Sequence, residues 1–387
     1  MIDAKVFRDE LAHRSVGFWT GVPCSFFQGP IGLLERSGDR YVPAANEGAA
    51  LAMAAGAELA GTRAVVMLQN SGFGNLLNPL TSLIMTFDIP VLVFMSLRGW
   101  PDPDRDEPQH RVMGSRQHAL LDALGVDTWT MPADEDGFRA VLDEAEHSRR
   151  EGRPAVVLVP KNSVGTVPAT AAVPAPTAGD TPAAGDATGG FDRRAALAAL
   201  APHLGDAAVY ATTGYISREL HSLAHRPENF YMQGSMGHAL SLGIGTALSR
   251  PTRRVVVVDG DGAALMHLGS AAVAGAAAPG NLTHVVLDNG CYESTGGQHA
   301  PASVDWAGLG RALGYRTAGT AASAEETGAA MRRVRDLPGP HLLAVTVSPG
   351  TDVPPRVTSR RTPAELRRDF EAALARDRTR DGTTYGG

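Results

Sequence analysis

The chain has 387 residues, 43% of them hydrophobic and 20% charged, with a net charge of -6. That length suits two or three domains, and the apolar content excludes a globally disordered chain. The acidic balance leaves no basic footprint for nucleic acid, and Cys24 and Cys291, far apart in sequence, form neither a disulfide framework nor a zinc pattern.

The N-terminus MIDAKVFRDELAHR reads as an amphipathic helix over 2–13. It carries acidic residues and is not a signal peptide, and no apolar run reaches ~18 residues. A cytoplasmic protein with no membrane segment is expected. Gly17–Val22 reads as a strand, Gly48–Leu59 as a helix of small residues, and Ala64–Met67 as a strand. A helix from about Asn75 to Met85, a buried strand Pro90–Ser96, a polar loop Arg98–His110 and a strand Ala155–Val159 follow. This alternation predicts a doubly wound α/β domain over 1–163. Residues 164–190 are rich in Pro, Ala, Thr and Gly without periodicity and read as a linker, on the order of 80 Å long if extended. The alternation resumes over 191–377: helix Arg193–Leu204, strand Ala207–Ala211, helix Tyr215–Ala224, extended Asn229–Gln233, helix Ala239–Leu248 and strand Leu342–Val347. A charged helix Thr362–Arg376 and a frayed tail, 378–387, close the chain.

The most informative stretch is 255–298. Two short apolar runs, Val255–Val258 and His284–Leu287, each lead into an acid- and glycine-rich turn, Asp259-Gly260-Asp261-Gly262 and Asp288-Asn289-Gly290. A small-residue helix, Ala263–Ala278, is expected between them. A βαβ unit of this kind brings Asp261 and Asn289 to one edge of a parallel sheet, where ligands of open α/β sheets bind. Carboxylate, amide and carbonyl oxygens suit a hard cation such as Mg²⁺.

A GDG triplet, such a gap and then an Asn resemble the signature of thiamin diphosphate enzymes. The resemblance implies that Asp261, Asn289 and the main-chain carbonyl of Cys291 hold Mg²⁺ against the diphosphate, with Gly260, Gly262, Ala263 and Tyr292 beside them. Many members carry Asn-Asn where this chain has Asp288-Asn289; the second position, the usual ligand, is kept. Glu47, in Asn46-Glu47-Gly48, matches the buried carboxyl group that bonds the aminopyrimidine and starts catalysis; taken alone it would read as a helix-start Glu favoured by the dipole. Met236, in Gly234-Ser235-Met236-Gly237, matches the apolar wedge that bends the cofactor, with the Gly234 carbonyl toward its amino group. Thr212-Thr213-Gly214 is either a phosphate loop or a plain helix cap. Ser294-Thr295-Gly296-Gly297 either closes over the diphosphate or substrate or is a loop without contacts.

Gly21-Val22-Pro23-Cys24-Ser25-Phe26, Gln69-Asn70-Ser71-Gly72, Arg98-Gly99 and Asp106–His110 narrow the likeness. Together with SREL at 217–220, GSMGHA and STGGQ, they resemble the phosphonopyruvate decarboxylases, with the sulfopyruvate decarboxylases as near relatives. The resemblance implies two doubly wound parallel-sheet α/β domains of the thiamin diphosphate-binding fold, a pyrimidine half and a diphosphate half, with no middle domain. It implies decarboxylation of 3-phosphonopyruvate to phosphonoacetaldehyde and CO₂, as in phosphonate natural-product biosynthesis; the alternatives are the same chemistry on 3-sulfopyruvate and a related 2-oxo acid decarboxylase or carboligase. The substrate is a small 2-oxo acid with a second anionic group. Arg98 and His110 are candidates to hold it, His110 also in catalysis, with Gln109, Ser25, Ser294 and Thr295 nearby and His238 a weaker candidate; for Arg98 a surface ion pair and for His110 an exposed loop position are equal alternatives. Arg111 and Arg360-Arg361 read as solvated surface. The resemblance also implies a homodimer or larger homo-oligomer with active sites between subunits.

Overall fold

The computed structural model describes residues 1–37, 41–166, 191–293, 298–299, 304–350, 352–359 and 361–376. The chain divides into two compact units, Met1–Glu58 with Thr62–Pro174 and Leu59–Gly61 with Ala175–Gly387. Among the described residues no helix is long and apolar enough to cross a membrane.

The first unit holds strands β1 (Val16–Gly21), β2 (Tyr41–Pro43), β3 (Arg63–Gln69), β4 (Leu92–Ser96), β5 (Asp127–Thr130) and β6 (Ala155–Val159). They form one parallel sheet in the order β2-β1-β3-β4-β6-β5. The second unit holds β7 (Ala208–Ala211), β8 (Asn229–Tyr231), β9 (Val255–Gly260) and β10 (Leu282–Asp288). A small antiparallel hairpin, β11 (Cys291–Tyr292) with β12 (Gln298–His299), and strands β13 (Thr317–Ala321) and β14 (His341–Thr346) complete it. The parallel order is β13-β14-β10-β9-β7-β8. Counted within each unit, the two orders are the same topology. In each, the chain turns one way from its first strand and then the other, so the switch point lies between β1 and β3, and between β7 and β9.

The central strands read as continuous apolar text because helices cover both faces. Val255 to Val258 are all buried, as are Val65 to Leu68. Alternate residues serve different layers: Val256, Val258, Val285 and Leu287 face one core cluster with Leu197, Leu220 and Met331. The helix Glu47–Leu59 is apolar on every side, and residues 49–55 are buried, which is why small side chains dominate it. Asn46 accepts the Ala49 N–H at 2.9 Å and satisfies one of the first-turn donors.

Four expectations need correction. The helix expected over 263–278 is two helices, Asp261–Met266 and Gly269–Ala277. The break swings His267 onto the His238 ring, 4.1 Å between centroids, where Gly237 (φ 88°) leaves no room for a Cβ. There is also no free turn after β9, since helix begins at Asp261 itself. The helix expected over 75–85 runs Phe73–Pro79 and continues as a π-helical stretch, Leu80–Met85. Finally, Val164 bridges Ile2 and the Gly165 N–H bonds the Ile2 carbonyl at 2.8 Å, so the start of the presumed linker belongs to the first unit.

Close helix packing can be tested at Gly275. A Cβ there would lie 1.8 Å from the Leu313 carbonyl oxygen, a backbone atom that no rotamer change can move. Gly275→Ala is expected to cost about 1–3 kcal/mol, read as a lowered thermal midpoint; an unchanged midpoint would contradict the packing described.

Candidate active site

In the second unit the site stands at the carboxyl ends of β7, β9 and β10, across the switch point. Thr212 and Thr213 follow β7, Asp261 follows β9 and Asn289 follows β10. Thr212, Thr213, Met236, Gly260, Asp261, Gly262, Ala263, Asn289 and Cys291 all line one cleft. Gly214 takes φ 93° and lets the chain turn into the helix Tyr215–Ala224. Gly234 and Ser235 precede Met236, with Ser235 left-handed at φ 55°. Both the backbone N–H and Nδ1 of His238 meet the Ser235 carbonyl at 3.1 Å, which holds this segment over the cleft.

The two acidic turns are joined. The Asp261 carboxylate accepts backbone N–H groups from Gly262 and from Gly290. Asn289 Oδ1 accepts the Cys291 N–H at 3.0 Å, and Asp288 Oδ1 accepts the Gly290 N–H at 3.2 Å. Burial, with the Asp288 charge nearby, pushes the Asp261 carboxyl up to about 6. A carboxylate in that position is short of positive charge. Burial and Asp261 also raise the Cys291 thiol, which keeps its sulfur neutral and leaves its main-chain oxygen as the available donor.

The set fits a diphosphate held through a divalent cation. Asp261 and Asn289 supply hard oxygen donors at one edge. Thr212 Oγ1 is buried and has no hydrogen-bond partner among the described residues, so it can serve an incoming phosphate oxygen. Among the described residues no three His, Cys, Asp or Glu side chains gather as a self-sufficient metal site. A cation here needs ligand oxygens from its cargo.

Sequence reasoning missed Arg193, Tyr215 and Glu293, which line the same cleft. Arg193 is buried, pairs with Glu219 Oε2 at 2.8 Å and with Glu293, and lies over the Tyr215 ring at 5.2 Å. The Gly350 N–H bonds Glu293 Oε1 at 2.5 Å. The Arg193–Glu219, Glu293–Gly350 and Arg193–Glu293 contacts join residues 26, 57 and 100 apart in sequence, so no local pattern announces them. Ser294 and Thr295 lie outside the described residues, as does the side chain of Tyr292.

The first unit presents its own group at the carboxyl ends of β1 to β4. Glu47 opens its helix, and Asn75 Nδ2 donates to its Oε2 at 2.8 Å. The Gly72 Cα lies against this carboxyl group; a Cβ there would sit 2.1 Å from Glu47 Cδ. Glu47 is half-buried in the single chain rather than buried, because it stands at the open sheet edge. Arg98 is gripped through its backbone by both ends of the Asn70 amide, at 3.2 and 3.0 Å. Its Nη2 donates to Ser25 Oγ at 2.7 Å and its guanidinium lies 4.8 Å from the Phe26 ring centroid. The nearest Asp106 oxygen is 3.9 Å away, so Arg98 is aimed at Ser25 and not tied up in a tight surface pair. His110 is buried, not an exposed loop histidine, and its Nδ1 has no partner among the described residues. Gln109 is exposed. His238 is corrected: it is buried, and burial together with His267 pushes it down to about 4, so it is neutral and cannot act as a cation for a second anion.

Comparison with known proteins covers most of the chain. Residues 205–345 match the family "Thiamine pyrophosphate enzyme, C-terminal TPP binding domain". The chain is 40% identical over 360 residues to the phosphonopyruvate decarboxylase of Streptomyces viridochromogenes, covering 91% of this chain and 90% of that protein. The chain belongs to the phosphonopyruvate decarboxylase family. A sulfopyruvate decarboxylase of Methanosarcina acetivorans is 29% identical over 339 residues, covering 83% of this chain and 84% of that one. The family fold is shared with the crystal structure of benzoylformate decarboxylase from Polynucleobacter necessarius, at a TM-score of 0.70 and 12% identity, over 90% of this chain and 99% of that one.

Two outcomes follow from this geometry. The Asp261 carboxyl, raised from 3.8 to about 6, favours the folded metal-free chain at low pH, and that contribution is lost as pH rises through about 6. A divalent cation binds only the ionised form and reverses the sign. Stabilisation by Mg²⁺ with thiamin diphosphate, read as a thermal shift, is therefore expected to be small near pH 5 and to grow toward a plateau by about pH 7; equal shifts at both would contradict the role given to Asp261. Gly72→Ala must push the Glu47 carboxyl aside and is expected to cut turnover by about 10²-fold with little loss of stability, because the displaced group is a flexible side-chain end; wild-type turnover would contradict the contact.

Proposed function

We propose that this chain is a thiamin diphosphate- and Mg²⁺-dependent carboxy-lyase that converts 3-phosphonopyruvate to phosphonoacetaldehyde and CO₂. The observation that carries the reading is the 40% identity with a phosphonopyruvate decarboxylase over 91% of the chain. Likeness to the full-length sulfopyruvate decarboxylase is lower, at 29%.

Asp261, Asn289 and the Cys291 carbonyl would hold the cation, Thr212 and Thr213 the diphosphate, and Met236 the bend of the cofactor. When bound, thiamin diphosphate supplies a carbon nucleophile and a sink for the electrons that CO₂ leaves behind. The protein's own residues do the rest. Glu47, fixed on one oxygen by the Asn75 amide, offers the other to hold a proton shared with a ring nitrogen. Arg98, held by Asn70 and Ser25, presents a guanidinium to an anionic group of the substrate, where charge-assisted bonds are stronger than neutral ones. His110, buried with Nδ1 unpartnered, is placed to accept or pass a proton at that nitrogen.

Glu47 and Asp261 stand on different units, each at an open sheet edge. We infer a homodimer or larger homo-oligomer in which a site draws Glu47 from one subunit and the cation edge from another. CO₂ release with 3-phosphonopyruvate, 3-sulfopyruvate and pyruvate, in the presence of Mg²⁺ and thiamin diphosphate, tests the function. The phosphonate is expected to be turned over fastest, and Glu47→Gln to lose at least about 10²-fold in rate while still binding cofactor. Faster turnover of the sulfonate would move the assignment to that substrate, and unchanged turnover in Glu47→Gln would sink the mechanism.

A further inference from the structure

Behind the cation edge, on the face of the second sheet away from the cleft, lies a small enclosed cavity. Asp259, His267, His284 and Trp306 bring its polar groups, and Leu240, Leu309 and Leu342 are among its apolar walls. Asp259 and His284 are fully buried, and Asp259 Oδ2 and His284 Nε2 have no hydrogen-bond partner among the described residues. The two atoms are 3.8 Å apart, too far for a direct hydrogen bond. They face each other because β9 and β10 pair in parallel with Val286 opposite Asp259, which sets His284 diagonally beside the carboxylate on one face. Buried polar atoms left unpaired cost on the order of 1–3 kcal/mol each, so two of them facing one space point to a bridging group. The cavity has room for about one water molecule, and its polar lining meets the requirement of two or more partners for a buried water.

The remaining atoms of these residues reach the cation edge. Asp259 Oδ1 accepts the Gly260 N–H at 3.1 Å, one residue before Asp261. Trp306 Nε1 donates to Asp288 Oδ2 at 2.9 Å, one residue before Asn289. His284 Nδ1 lies 3.2 Å from the Tyr315 hydroxyl, a phenol kept protonated by burial. With Tyr315 as donor, Nε2 carries the imidazole proton and can give it to a water, which then donates to Asp259 Oδ2. Asp259 thus stands two residues before Asp261 and itself lines this cavity, and Asp288, one residue before Asn289, is held by Trp306, which lines it too.

We propose that the cavity is a binding site for one ordered water that bridges Asp259 and His284, and that His284, acting through this water and Asp259, is a positioning residue for the turn carrying Asp261. The proposal rests on the reading of Asp261 and Asn289 as the cation edge. Its effect is on cation affinity, since outer hydrogen-bond partners of metal ligands are worth about 10–100-fold there.

Two measurements on the full chain test it. A high-resolution crystal structure is expected to show a water within hydrogen-bond distance, about 2.6–3.2 Å, of both Asp259 Oδ2 and His284 Nε2. Calorimetric titration of thiamin diphosphate at graded Mg²⁺ is expected to show the half-saturating Mg²⁺ raised about tenfold in His284→Phe, with turnover at saturating cofactors within about threefold of wild type. His284→Gln, whose amide can still meet a water, is expected to recover most of the affinity. A cavity with no water, or unchanged half-saturating Mg²⁺ in His284→Phe with only a lowered thermal midpoint, would overturn the proposal and leave His284 as packing. Should His284→Phe not fold, the wild-type crystal structure and His284→Gln decide. Failure of the wild-type chain to bind thiamin diphosphate at all would instead overturn the cation-edge reading, a result separate from the presence or absence of the water.

Discussion

A carboxylate buried at the end of β9 is the constraint on which the rest of the second unit turns. Asp261 is taken out of water by the strand, the helix it begins and the turn that follows β10. Backbone N–H groups from Gly262 and Gly290 meet part of its charge, and the Asp288 carboxylate adds to the deficit. Such a group is stable as an anion only with a cation beside it. The parallel register of β9 with β10 brings Asn289 to the same edge, and the unpartnered Thr212 hydroxyl waits at the end of β7. A metal and a diphosphate would therefore complete one another here, since the protein side alone supplies too few donors.

The first unit repeats the topology but uses it differently. Among the described residues its edge carries no acidic pair for a cation. It carries Glu47 against the bare Cα of Gly72, and Arg98 aimed by Asn70 and Ser25. On the proposed reading, one unit would anchor the charged end of the cofactor and the other would supply Glu47 and a cationic side chain for the substrate. Neither half is chemically sufficient. That division follows from placing the same six-stranded arrangement twice in one chain and changing only the turns at the strand ends.

Much of this is legible in the sequence because the informative signals are local. Val255 to Gly262 states a buried parallel strand and its ligand edge within eight residues, and Asn289 lies at the end of the next such strand. Glu47 is legible only beside that pattern, since a Glu at a helix start is commonplace. Other features escape for physical reasons. β5 and β13 lie at sheet edges and are only partly buried, so they lack an apolar run. The break at His267 depends on packing against Gly237 and His238, which no helical periodicity encodes. The Arg193, Glu219 and Glu293 cluster is made by three distant segments that only the folded sheet brings together. His238 reads in sequence as a weaker candidate for the anion recess and is a buried neutral ring in the fold.

We propose that one active site is shared between two chains, Glu47 from one and Asp261 from another. Mixing two inactive variants, Glu47→Gln and Asp261→Ala, under conditions that allow subunits to exchange tests it most directly. If sites form between the subunits of a dimer, each mixed dimer holds one intact site, and equal amounts should recover about a quarter of wild-type turnover. A mixture that exchanges subunits and stays as inactive as its components would contradict the account.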